Sequence, residues 1–212
     1  EDIAGLKTAR RMALDDTGII CDEGAFVTVR HRMLGAGKSY TGLATDLRGD
    51  LSRVDVDTRY LAAGQDVRDF NYVVRHRGKK TRCNIDANGA LMGESKKVLR
   101  GTIDLVRGCK GAEGTERETV LLVDERVENK TIPVILCDED DVAGNHGATI
   151  GHVAADQLFY LKCRGLSQEA AEGLFATATL EETALAVEDE TVRAGVGRLA
   201  GRLGIPYQEV EG

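Results

Sequence analysis

The architecture turns on Phe26-Val27-Thr28-Val29-Arg30-His31-Arg32-Met33. Val27, Val29, His31 and Met33 fall on one side of an extended chain, with Arg30 and Arg32 on the other, which is the two-residue period of a strand with one buried face. The same alternation continues through Leu51–Leu61, by way of Val54 and Val56, and through Asn71–Arg77, Val98–Val106, Thr119–Val123 and Thr131–Cys137. Gly35-Ala36-Gly37, Gly64 and Asn88-Gly89 read as corners between these runs. No helical period interrupts residues 19–150. Regular strands without helical crossovers predict a sandwich, a barrel or a solenoid. Val29-Arg30-His31-Arg32 returns as Val74-Arg75-His76-Arg77, and Leu47-Arg48-Gly49-Asp50 is loosely echoed by Leu99-Arg100-Gly101-Thr102. At roughly twenty-odd residues per coil, the first echo would span two coils, so the reading leans to a solenoid.

The period changes in the last quarter. Asp156 is placed to cap a helix through Leu158, Phe159 and Leu161 that ends at Gly165 in a left-handed cap. Ser167 opens a second helix with Ala171, Leu174, Phe175 and Ala178 on one stripe. Thr179-Leu180-Glu181-Glu182 reads as a capping box for a third, carrying Val192, Val196, Leu199 and Leu203. The expected division is a β core over 1–153 and a helical appendage over 154–212.

Composition narrows the function classes. A net charge of −7 over 212 residues argues against a nucleic-acid partner, which calls for a basic face. No run of about eighteen apolar residues provides a membrane span. Five cysteines, Cys21, Cys83, Cys109, Cys137 and Cys163, form no CxxC pair; reduced thiols and a cytoplasmic location fit them better than a disulfide framework. The chain opens on Glu1-Asp2 rather than methionine, which predicts a piece of a longer protein.

Four groups of residues bear on chemistry. Asp138-Glu139-Asp140-Asp141 offers carboxylates in a turn, but its spacing matches no EF-hand or nonapeptide calcium repeat, so a solvated acidic corner is expected. Cys137 and His146 flank that corner. Thiolate and imidazole suit iron or an iron–sulfur cluster, yet two ligands cannot close a four-coordinate site, and a structural thiol with a capped histidine is the competing reading. His31 and His76 alternate onto apolar faces and read as buried neutral histidines bonded to neighbouring backbone. Phe159 and Tyr160 beside Lys162 and Arg164 suit a protein contact or packing onto the β body. Gly35-Ala36-Gly37-Lys38-Ser39 lacks the first glycine of a phosphate loop, and no nucleophile elbow, triad or paired-carboxylate spacing is present.

Several of these stretches occur together in one known family. Arg100-Gly101-Thr102-Ile103-Asp104-Leu105-Val106-Arg107, Asp140-Asp141-Val142, His146-Gly147-Ala148-Thr149-Ile150-Gly151, Leu158-Phe159-Tyr160-Leu161 and Arg164-Gly165-Leu166-Ser167 with Glu169-Ala170 resemble the last coils and C-terminal helices of the SufB/SufD proteins of iron–sulfur cluster assembly. The resemblance is strong over about 75–178. It implies a mainly β fold, a right-handed parallel β-helix (a single-stranded solenoid) with a small C-terminal α-helical domain. It implies a non-ATPase scaffold subunit rather than an enzyme. That subunit pairs through its β-helix with a SufB-like subunit or an identical one, and docks a SufC-type ABC ATPase through the C-terminal helices, with Phe159, Tyr160, Arg164 and Gly165 as the candidate contacts. It further implies a transient iron–sulfur cluster at the subunit interface, none held stably by this chain alone, with His146 as a ligand and Cys137 secondary. SufB-type members carry His-Glu-Ala-Thr and a scaffold cysteine on the preceding strand. Gly147 and the cysteine-free Glu118-Thr119-Val120-Leu121 make this chain SufD-like. Two other readings stand beside this one. A β-helix carbohydrate lyase or hydrolase would use a groove lined by Arg30, Arg32, Arg75 and Arg77, and a purely structural homodimer would pair by its sheet edges.

Overall fold

The computed structural model describes residues 12–34, 37–152 and 155–167, together with 170, 171, 173, 174, 178, 190 and 194. Ten strands run in chain order: β1 Met12–Cys21, β2 Phe26–Met33, β3 Lys38–Leu47, β4 Arg53–Ala62, β5 Val67–His76, β6 Arg82–Leu91, β7 Lys96–Leu105, β8 Glu113–Leu122, β9 Glu128–Cys137 and β10 Ala143–His152. One helix follows, α1, Ala155–Cys163. Odd strands form one five-stranded parallel sheet (β1-β3-β5-β7-β9) and even strands the other (β10-β8-β6-β4-β2). Each coil contributes one strand to each sheet, giving a parallel β-solenoid of five turns. The expected β-helix is present.

The coil is longer than the twenty-odd residues read from sequence. Lys38 pairs with Val67 and Val67 with Lys96, steps of 29 residues. Val29–Arg32 therefore lies on β2 and Val74–Arg77 starts on β5, in opposite sheets. That echo is not a coil repeat. The repeat that does follow the coils sits at a corner. Arg48-Gly49 precedes Ser52 and Arg77-Gly78 precedes Thr81, each hydroxyl donating to the glycine carbonyl (2.8 and 3.2 Å). The amides of Gly49 and Gly78 donate to Cys21 and Leu47 of the coil before. A Cβ at Gly78 would run into the Gly49 carbonyl, so stacked corners demand glycine. Asn88-Gly89, read as a corner, lies inside β6 instead. There Gly89 faces inward and leaves room for the Tyr60 ring.

Inward positions fill the space between the sheets. Leu43, Val54, Val56, Phe70, Val74, Ile85, Leu99 and Ile103 are buried there, and Tyr60, Phe70 and Tyr72 stack at 5.5 and 5.9 Å between ring centroids. The same interior holds polar groups. The His31 ring pairs with the Tyr72 hydroxyl at 2.7 Å, which also contacts the Thr58 hydroxyl at 2.9 Å, and His76 pairs with Thr81 at 2.7 Å. Both histidines are buried as expected, but their partners are side-chain hydroxyls rather than backbone. Burial lowers His31 and pushes His76 down to about 4, so both stay neutral near neutrality. Burial raises the Cys83 thiol to about 12, and Cys21 and Cys109 are buried too, which leaves Cys137 and Cys163 as the exposed thiols among the described residues.

Lys97 and Glu118 form an ion pair with both side chains fully buried. Glu118 also accepts from the Tyr60 hydroxyl (3.3 Å) and from the Thr131 hydroxyl. Desolvation lowers the Lys97 ammonium and raises the Tyr60 phenol. The network ties four strands, β4, β7, β8 and β9, across both sheets. Removing one partner strands a buried charge, whereas replacing both leaves none. Lys97→Met is therefore expected to cost about 3–5 kcal/mol in urea unfolding, and adding Glu118→Leu to recover most of it; additive losses would contradict this account.

The first predicted helix is α1. It ends in a Schellman turn, with Gly165 at φ 90°, its amide donating to Lys162 and the Leu166 amide to Leu161. Asp156 is not the cap but a first-turn residue, its carboxylate accepting the Gln157 amide at 2.9 Å. Of the second helix, residues 170, 171, 173, 174 and 178 are described and helical. The third lies largely outside the described residues, and Val192, Val196, Leu199 and Leu203 do so entirely.

Candidate functional site

The last coil carries the chemistry-bearing residues singled out in the sequence. β9 pairs with β7 and β10 with β8, and among the described residues neither has a partner on its other side. Pro133, in the middle of β9, is tolerated because a terminal strand can spare a donor. Large apolar side chains stand exposed on this rung, Ile132, Ile135, Leu136 and Ile150.

His146 is the fourth residue of β10 and is exposed. Its parity matches Gly144, where a Cβ would meet Ile135 of β9, so His146 belongs to the face between the sheets. It is exposed because no coil is stacked on the last rung among the described residues. Cys137 ends β9, in the other sheet; its thiol is exposed and donates to the Glu139 carbonyl at 3.3 Å. The two predicted ligands thus share a rung but occupy different sheets. Among the described residues, no three His, Cys, Asp or Glu side chains gather where they could hold a metal ion.

The acidic corner is spoken for. Asp138 pairs with Arg107 (3.4 Å) and Asp141 with Lys110 (3.5 Å), while Glu139 accepts the Gly108 amide at 2.9 Å, which holds its carboxyl below the usual range. These bonds stitch one corner to the corner of the coil before. On α1, Phe159 and Tyr160 are 69% and 56% exposed, and the Arg164 guanidinium lies 5.0 Å from the Tyr160 ring centre. Gly165 is the turn that ends this helix. A shallow recess beside Tyr160 is lined by Asp156, Gln157 and Leu161.

The four arginines of the groove reading are separated. Arg30 and Arg32 lie on β2, and Arg75 and Arg77 on and just beyond β5 in the other sheet, so they line no common groove. Arg32 pairs with Asp57, Arg75 with Asp104 and Arg77 with Asp46. The phosphate-loop lookalike fails on geometry as well, because the Gly37 amide donates to the Asp66 carboxylate at 2.6 Å.

One residue of the site escaped the sequence reading. Glu116 is the register partner of His146, one rung below on the same face, and is 1% exposed. Its carboxylate lies against the backbone of Gly101, where a Cβ would collide with it, and its Oε1 has no hydrogen-bond partner. Burial, reinforced by Glu118 and opposed by Lys97, pushes its carboxyl up to about 7 from the usual 4.5. Alternation placed such a residue on the buried face, but composition gives no warning that a glutamate will occupy it.

These observations define a parallel β-solenoid protein whose terminal rung is open among the described residues. The chain belongs to the family described as SUF system FeS cluster assembly, SufBD core domain, whose model matches residues 7–179. Similarity thus reaches well before the stretch recognisable by eye. It is 29% identical over 142 residues to the iron–sulfur cluster assembly protein SufD of Bacillus subtilis, covering 67% of this chain and 32% of that protein. It is 26% identical over 174 residues to SufD of Escherichia coli, covering 81% and 41%. A SufBD family protein of Mycobacterium bovis is 31% identical over 123 residues, covering 58% and 14%. The chain is SufD-like and spans about a third to two-fifths of the length of these SufD relatives.

Glu116 carries the pH dependence of this region. Its folded value lies above the unfolded one, so its favourable contribution is complete below about pH 4.5 and lost as pH rises through about 7. Glu116→Gln lacks that loss. The variant should gain about 3 kcal/mol on the wild type between pH 4.5 and 7.5 in urea unfolding; a pH-independent difference would refute the assignment.

Proposed function

We propose that this chain is a non-catalytic scaffold subunit of a cytoplasmic SUF-type assembly, and that its last coil is the surface on which a second scaffold subunit closes. The observation that carries the reading is the position of His146. It sits on a terminal strand, inward-facing yet exposed, beside strand edges left unpaired among the described residues and beside exposed isoleucines. A SufB-like subunit, or a second copy of this chain, would extend the open sheets by main-chain bonding and cover the apolar side chains. His146 would then lie at the seam, where the nascent cluster (the cargo of the assembly) receives an imidazole ligand, with Cys137 of the neighbouring sheet a secondary thiolate. Family membership supports the assembly role.

On this reading α1 is where a SufC-type ABC ATPase docks, which the exposure of Phe159 and Tyr160, the contact of Arg164 with the Tyr160 ring and the turn at Gly165 support. Aromatic and arginine side chains of this kind anchor protein contacts. The lyase or hydrolase reading loses its basis once the four arginines are found on opposite sheets.

Anaerobic co-purification of the chain with its natural partners tests the proposal. Wild type should bring down an ABC ATPase and a SufB-like chain together with iron and sulfide. His146→Ala should retain the proteins and lose most of the iron and sulfide. Unchanged iron would reduce His146 to a structural residue, and absence of the ATPase would overturn the scaffold assignment.

A further inference from the structure

Glu116 is the one buried acid of the interior network left without a full set of partners. Its neighbour Glu118 is satisfied by Lys97, Tyr60 and Thr131. Glu116 Oε1, by contrast, is buried and unpaired, a costly state for a carboxylate. The surroundings narrow the donors that could answer it. Across the interior stands Gly101, without a side chain, and the register partner of Gly101 on the next rung is Pro133, without an N–H. On its own sheet the register partner is His146, one ladder spacing of about 4.8 Å away. The inward neighbours of His146 are Gly144 and Ala148, which offer no donor side chain. Thr131 already donates to Glu118. Lys97 gives its ammonium protons to Glu118, the Lys130 carbonyl and Thr131, so among the described residues the imidazole N–H of His146 is the donor that remains.

We propose that Glu116 is the positioning residue of His146: its free carboxylate oxygen accepts one imidazole N–H and so directs the other ring nitrogen out past the open rung. This deepens the scaffold reading and rests on it for the use made of that nitrogen, but not for the contact itself. Carboxylate–histidine pairs of this kind fix the tautomer of ligating histidines, and their loss typically weakens metal binding 10–100-fold. The arrangement also accounts for a carboxylate kept at an interior position: an apolar residue there would be easier to bury but would leave the ring free to turn.

The test uses the full chain labelled with nitrogen-15 in histidine, the His146 signals being assigned by their loss in His146→Gln. Long-range proton–nitrogen spectra report which ring nitrogen carries the proton. Wild type should show one dominant neutral tautomer. Glu116→Leu, which removes the acceptor, should give a mixture, and Glu116→Gln, which keeps an oxygen acceptor, should restore the single tautomer with a shifted nitrogen resonance. Should the leucine variant not fold, the nitrogen shift in the glutamine variant decides. An unchanged His146 spectrum in either folded variant would overturn the proposal. The ligand role of His146 has a separate readout, the iron content of the co-purified assembly. Iron unaffected by His146→Ala, alongside a Glu116-dependent tautomer, would remove that ligand role and leave the positioning pair standing.

Discussion

The constraint on which the structure depends is the unbroken in-register ladder between successive coils. Each of β1 to β8 hands every residue a partner in the next coil of its own sheet, 29 residues on in the middle of the solenoid. In such a stack each coil satisfies its neighbour's backbone and buries its neighbour's apolar face. Once the ladder is fixed, parity decides everything else: which side chains meet between the sheets, and which form ion-paired rows on the outside such as Arg59 with Asp57 and Asp86. The outer pairs are partly exposed and individually worth little. The interior is where register is enforced.

That interior is unusual in what it tolerates. Lys97, Glu118, Glu116, Arg68, His31 and His76 are all buried. A buried ion pair adds little net stability over well-packed apolar side chains, but misplacing either partner is severely penalised. A one-residue slip of β8 on its ladder partner β6 would turn Glu118 to the outer face, away from Lys97 of the opposite sheet, and leave both charges uncompensated. The polar network therefore works as a register lock close to the open end, where fewer coils remain to hold the strands in step.

The fold was legible in the strands whose inward positions are large and apolar. β2, β4, β5 and β7 announce themselves through Val27 and Val29, Val54 and Val56, Tyr72 and Val74, Leu99 and Ile103. β3, β6 and β10 do not. Their inward residues include Ser39, Thr41 and Thr45, then Cys83, Ala87 and Gly89, then Gly144 and Ala148, too small or too polar to draw an apolar stripe. Coil length was misjudged because Val-Arg-His-Arg recurs by coincidence across sheets, while the corner motif of Arg-Gly followed by Ser52 or Thr81 marks the true step. His146 and Cys137 were visible as residue types near an acidic corner. Their separation onto different sheets, and the glutamate beneath His146, are consequences of register, which spacing along the chain does not encode.

A solenoid must end somewhere, and its ends present unpaired backbone and uncovered side chains. In this chain the last rung combines those liabilities with a histidine from the interior face and is followed at once by a helix bearing exposed aromatics. The central claim is that this rung is an interface. Hydrogen–deuterium exchange on the chain alone and in its co-purified assembly tests it most directly. The account predicts new protection concentrated in β9 and β10 and over α1, with β3 to β6 unchanged. Protection confined to β1 and β2, with β9 and β10 exchanging as in the isolated chain, would contradict it.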